Sequence, residues 1–196
     1  MSTPQLSFIY AYPLDRERRT LFEEKSLPYP SMREVKDTLI RWEQLWLEAD
    51  QKHNIVAYIS ALTGRIPTRN LECFVFGGGL RAMSTPFLLP TSNKRGERWS
   101  DTKFLDLVMH ELLHIFLVTD NARYWEYAKE KYKDEEPLVR NHVLLYAMLY
   151  EIYRKLFNTE PFDFSRTDLP EGYARAIELM KQEGHETLIA EYKALI

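Results

Sequence analysis

The run from Phe104 to Val118, FLDLVMHELLHIFLV, constrains this chain more than any other segment. It holds no Gly or Pro, and Asp106 and Glu111 are its only carboxylates, so it reads as a helix that is apolar nearly all round. Such a helix must be buried. Burial then becomes a question of chemistry, because His110, Glu111 and His114 sit in its middle. Two histidines four apart lie about 40° apart around a helix, so both imidazoles can reach one ion. Glu111 lies about 60° from His114, near such an ion but off the line of the ligands. A carboxylate there can take a proton from water held at the metal. Buried imidazoles without partners are costly, and a metal satisfies them. The plain alternative is two core histidines beside a surface glutamate.

The pattern H-E-x-x-H with uncharged Leu112, Leu113, Ile115 and Phe116 around it resembles the active-site helix of the zincin metallopeptidases. The resemblance covers about ten residues strongly and the rest loosely. It implies that His110 and His114 are zinc ligands and Glu111 the catalytic base. It also implies a sheet upstream of the helix whose edge strand binds peptide.

At 196 residues, 45% hydrophobic and 28% charged, the chain fits a single folded domain, or one core with a helical appendage. A net charge of -3 carries no polyanion-binding signature, which argues against nucleic acid. No apolar run reaches the roughly 18 residues needed to cross a bilayer, and residues 1–12 lack a signal-peptide pattern. Cys73 stands alone in an apolar run and reads as a small core residue, consistent with a reducing cytoplasm.

Along the chain, Ser7 to Tyr12 reads as a strand closed by Pro13, followed by a charged loop. Ser31-Met32-Arg33-Glu34 has capping-box spacing, and Val35, Leu39, Trp42, Leu45 and Ala49 recur as on a helix. A second helix is expected from about Asn54 to Thr63, stopped by Gly64. Leu71–Phe76 and Thr85–Leu89 read as strands, with Gly77-Gly78-Gly79 between them as a turn or bulge rather than a phosphate loop. Ser100 or Asp101 can cap the motif helix, and Asp120 a following one to about Tyr132. Pro137 opens a long helix to about Phe157, and two C-terminal helices are divided by Gly184. The expected class is α+β: a small N-terminal sheet with an edge strand, an active helix, then a mostly helical half.

A catalytic zinc usually takes three protein ligands, and three candidates follow His114. His142 is favoured, lying on the stripe Leu138, His142, Leu145, Leu149, Ile152, Leu156 that an amphipathic helix would bury. By resemblance to gluzincins, Asn141-His142 stands where those proteins carry their ligand Glu, and Tyr146 replaces the usual downstream Asp. Glu135 and Glu136 fall at a gluzincin-like interval but precede Pro137, where acids suit a helix start. Asp120 falls where metzincins place a ligand, yet Leu117 replaces the Gly that lets their chain turn back.

Asp106, four before His110, is either an acceptor for its imidazole or an ordinary exposed acid. Tyr146 and Tyr150 are candidate oxyanion donors, or packing residues. His53 and His185 are expected on the surface. With these residues, the resemblance to zincins implies a zinc metallopeptidase with one zinc ion per chain and a peptide lying antiparallel to an edge strand within Thr85–Leu89. Two other classes stay open: a silent metal-binding regulatory or structural protein, and a helical interaction module whose H-E-x-x-H is accidental. Oligomeric state is not legible.

Overall fold

The computed structural model describes residues 5–66, 70–93, 95–118 and 121–196. It is α+β and mostly helical, with a four-stranded sheet. The chain divides into two compact units, Met1–Val56 with Pro67–Leu112, and Ala57–Ile66 with Leu113–Ile196. No helix among the described residues is long and apolar enough to cross a membrane.

The first unit begins with strand β1, Leu6–Tyr10. The charged stretch after it is not the expected loop but helix α1, Tyr12–Glu24. Pro13 stands in its first turn, where a fixed φ and a missing N–H cost nothing. The charges that suggested a loop mostly face solvent, while Asp15 and Phe22 are buried. Asp15 is then fully used: its carboxylate accepts from Tyr10 Oη at 2.7 Å, Arg19 Nη2 at 2.7 Å, Tyr29 Oη at 2.9 Å and the Gly77 amide at 2.7 Å.

Helix α2, Met32–His53, opens with the expected capping box. The Glu34 amide donates to Ser31 Oγ at 3.2 Å, and the Ser31 amide donates to the Glu34 carboxylate at 2.7 Å. Val35, Trp42 and Trp46 are its buried residues. Helix α3, Ile55–Thr63, follows a left-handed Asn54, and Gly64 at φ +67 ends it.

The sheet has the order β1-β2-β4-β3, where β2 is Leu71–Phe76, β3 Met83–Ser84 and β4 Phe87–Pro90. Strands β1, β2 and β4 are parallel, with Tyr10 opposite Val75 and Phe74 opposite Leu88; β3 is antiparallel to β4. A parallel pair needs a long crossover, which α1 to α3 supply between β1 and β2. The strands therefore do not all precede the helices, and Thr85–Leu89 is not one strand on the edge. Phe87–Pro90 lies inside, between β2 and the two-residue β3. The glycines after β2 allow close packing: a Cβ on Gly77 would come within 2.5 Å of the Tyr29 ring, and one on Gly78 within 2.5 Å of Ser92 Oγ.

Helix α4, Asp101–Val118, carries the motif. Ser100 Oγ accepts the Lys103 amide at 3.1 Å, as capping requires. In the first unit the Phe104 ring stacks on Trp42 at 4.4 Å and meets Phe8 of β1 at 5.6 Å, which fixes the amino-terminal half of the helix.

The second unit is helical. It holds most of α3 together with α5, Ala122–Lys131; α6, Pro137–Ile152, prolonged by a π-turn over Tyr153–Phe157; a 3₁₀ turn, Phe162–Ser165; α7, Glu171–Glu183; and α8, His185–Lys193. Helix α6 has no single buried stripe, since every residue from His142 to Leu149 is buried. It is the centre of its unit, with α5, α7 and α8 packed against it. Gly172 makes one approach possible, because a Cβ there would stand 2.6 Å from Leu138 Cδ2.

Candidate metal centre

Helical spacing on α4 and burial on α6 bring three imidazoles together. The metal-competent nitrogens of His110, His114 and His142 all lie within 4.8 Å of one another. His114 Nε2 stands 3.1 Å from His142 Nε2, with ring centroids 4.8 Å apart and nearly perpendicular. His110 and His142 are 8% and 5% exposed, and His114 is half-buried.

The tautomer of His142 follows from its other nitrogen. Nδ1 lies 2.7 Å from the Leu138 carbonyl, one turn back. A carbonyl only accepts, so Nδ1 carries the proton and Nε2 keeps a lone pair aimed at His114. Two ring nitrogens this close share either a proton or a cation. Burial depresses both rings: His114 falls to about 3, by burial first and then by the neighbouring His142, and His142 falls by burial although the Leu138 bond opposes it. Neutral imidazole is the ligand form. Two nitrogens at about 2.0–2.1 Å from a tetrahedral ion stand about 3.3–3.4 Å apart, close to the 3.1 Å between His114 and His142, within a triad spread over 4.8 Å. These residues could hold a metal ion, and the donor set suits one of borderline softness.

Glu111, beside His110, is 6% exposed. Burial pushes its carboxyl up to about 8, against the pull of the Lys103 ammonium. Cys73 is fully buried on β2, and burial, followed by the Glu111 charge, holds its thiol well above the usual range. It is an inert core residue, as its setting in the sequence implies.

The other candidate ligands are placed elsewhere. Glu135 accepts from Arg175 Nε at 3.0 Å and Nη2 at 2.7 Å, beside a cavity of about 490 Å³ that Glu136 and Glu171 also line. Glu136 is exposed at the start of α6. Asp120 lies outside the described residues. Tyr146 is fully buried with its ring 6.0 Å from that of His142, whereas Tyr150 stacks on Phe164 and meets His185 edge-on. His53 and His185 are half-buried rather than on the surface, and His185 Nε2 lies 3.2 Å from the Glu151 carboxylate. That acid stands near the end of α6.

Two neighbours of the site escaped sequence reading. Tyr173, on α7, meets the His142 ring edge-on at 4.8 Å, a contact no local pattern announces. Lys103 is 4% exposed, and its Nζ lies 3.2 Å from Asp106 Oδ2. An i, i+3 pair is visible in sequence, but its burial is not. Asp106, at 1% exposed, is no ordinary surface acid. No family model, curated protein or solved structure matches the chain.

Proposed function

We propose that the chain is a zinc-dependent metallopeptidase of zincin type, with His110, His114 and His142 holding one zinc ion and Glu111 acting as general base. The observation that carries this reading is the convergence of three imidazoles within 4.8 Å beside a buried glutamate. When bound, zinc supplies a Lewis acid that polarises a carbonyl and lowers the pKa of water to about 7. The Leu138 carbonyl holds His142 in the ligating tautomer. The Glu111 carboxylate takes a proton from the attacking water and returns it to the leaving amine nitrogen. A dication nearby favours the ionised carboxylate and so opposes the upward shift that burial imposes. The helical setting of Glu111 keeps it off the ligand line, free to turn between water and amine.

The peptide assignment rests on the H-E-x-x-H pattern alone. The edges of the sheet are β1 and β3, so a peptide adding to it would pair there rather than along β4. The test is zinc content after purification without chelator, followed by hydrolysis of a quenched fluorescent peptide library by the parent and by Glu111→Gln. Zinc near one per chain with turnover lost in the variant supports the reading. Zinc-free protein, or turnover unchanged in the variant, sinks it.

The low exposure of Glu111 and His142 favours one second reading, a metal site that orders its surroundings without turnover. Stoichiometric zinc with no cleavage of the library, and a large fall in melting temperature on chelation, would favour that reading.

A further inference from the structure

The ion pair of Lys103 and Asp106 has no part in the proposed hydrolysis, and its placement needs a reason. Both side chains are buried, 6% and 1% exposed, with Nζ and Oδ2 3.2 Å apart. A buried ion pair is a poor way to stabilise a fold, since desolvation offsets most of the attraction and apolar residues of similar volume do as well. The pair is more intelligible by what it faces. Asp106 is four residues before His110 on continuous helix α4, hence on the same face one turn back. Side chains on a helix lean toward its amino terminus, so the His110 imidazole leans toward Asp106, not away from it. The Asp106 carboxylate can accept several hydrogen bonds at once, and Lys103 Nζ donates one of them. A ligating imidazole needs an acceptor for its remaining N–H, and His142 already shows such a device in the Leu138 carbonyl.

We infer that Lys103, Asp106 and His110 form a positioning relay: the ammonium holds the carboxylate, and the carboxylate accepts the His110 ring N–H that does not face the metal. This rests on the zinc reading above. Asp106 is a positioning residue, acting through His110. Lys103 orients the carboxylate through the 3.2 Å contact and offsets part of the cost of burying its charge. The device would matter most at His110, the first of the three ligands. His114 is half-buried, and no comparable acid stands four before it, where the residue is His110 itself.

The test is zinc affinity, read by competition with a chromophoric chelator, using zinc alone and the full chain. Asp106→Ala should weaken binding by about 10–100-fold, the usual effect of losing an imidazole's acceptor. Asp106→Asn keeps the shape and a weaker acceptor and should lose severalfold. Lys103→Met should lie between the parent and Asp106→Ala. Nitrogen-detected NMR of the zinc-loaded protein should show one fixed His110 tautomer in the parent and a mixture in Asp106→Ala, which a merely structural role would not produce. Parent affinity in Asp106→Ala overturns the relay; if that variant does not fold, parent affinity in Asp106→Asn overturns it. His110→Ala separates the two ideas. If it too binds zinc like the parent, the metal reading has failed, whereas loss of zinc there with no effect at Asp106 removes the relay alone.

Discussion

His142 places its Nε2 atom 3.1 Å from Nε2 of His114, and the Leu138 carbonyl behind it decides which of its nitrogens is free to do so. The pair joins residues 28 apart in the chain. It converts a local motif into a three-nitrogen site.

His110→Ala and His114→Ala should each abolish stoichiometric zinc, measured by elemental analysis, while Glu135→Ala and Glu136→Ala should leave it intact. His142→Ala should weaken zinc strongly, although its cavity will also cost stability. The discriminating measurement is therefore the shift in melting temperature on adding zinc. A shift as large in His142→Ala as in the parent would remove His142 from the site.

Glu111→Gln should fold and bind zinc as the parent does and lose hydrolysis by about 10²–10⁴-fold, the range for a lost general base. The amide is isosteric and cannot take a proton. Equal turnover of one cleaved peptide by both proteins would end the base assignment.

Asp15→Ala should destabilise the first unit by about 2–4 kcal/mol, because it leaves two tyrosine hydroxyls and an amide without their acceptor and removes the partner of the half-buried Arg19 guanidinium. Urea unfolding followed by tryptophan fluorescence reads it, since Trp42 and Trp46 are in that unit. A change under about 1 kcal/mol would show that the network is not a stabilising hub.

Glu34 provides a pH test. Its carboxyl is held below the usual range by the Ser31 amide first and then by the Ser31 hydroxyl, with the Arg98 guanidinium adding to them. A carboxyl depressed in the folded state contributes stability that is present above its unfolded pKa and lost as pH falls through the folded one. The stability difference between the parent and Glu34→Gln should therefore be constant near neutrality and shrink as pH falls below about 4.3. A difference independent of pH down to about 3 would deny the charged cap.

Much of this protein was legible from local chemistry. H-E-x-x-H in an apolar run requires a buried helix with two imidazoles on one face, because helical spacing and desolvation act within a few residues. The Ser31 capping box, the stop at Gly64, the opening at Pro137 and the break at Gly184 are equally local, and all stand where the sequence puts them. Only the tertiary structure decided what depends on distant partners. Thr85–Leu89 reads as a strand from its aromatic and aliphatic residues, but the neighbours β2 and β3 place its second half inside the sheet rather than on the edge. The charges of α1 read as a loop until Arg19 and Gly77 are seen to share Asp15. A stripe on α6 became burial on every side because α5, α7 and α8 surround it. The sequence favours His142 over Glu135 and Glu136 by its place on an apolar stripe, but only packing decides which side chain meets His114. Packing turned His142 toward that ring and gave Glu135 to Arg175, because a buried imidazole needs a polar partner and an acid at a helix start finds one at the surface.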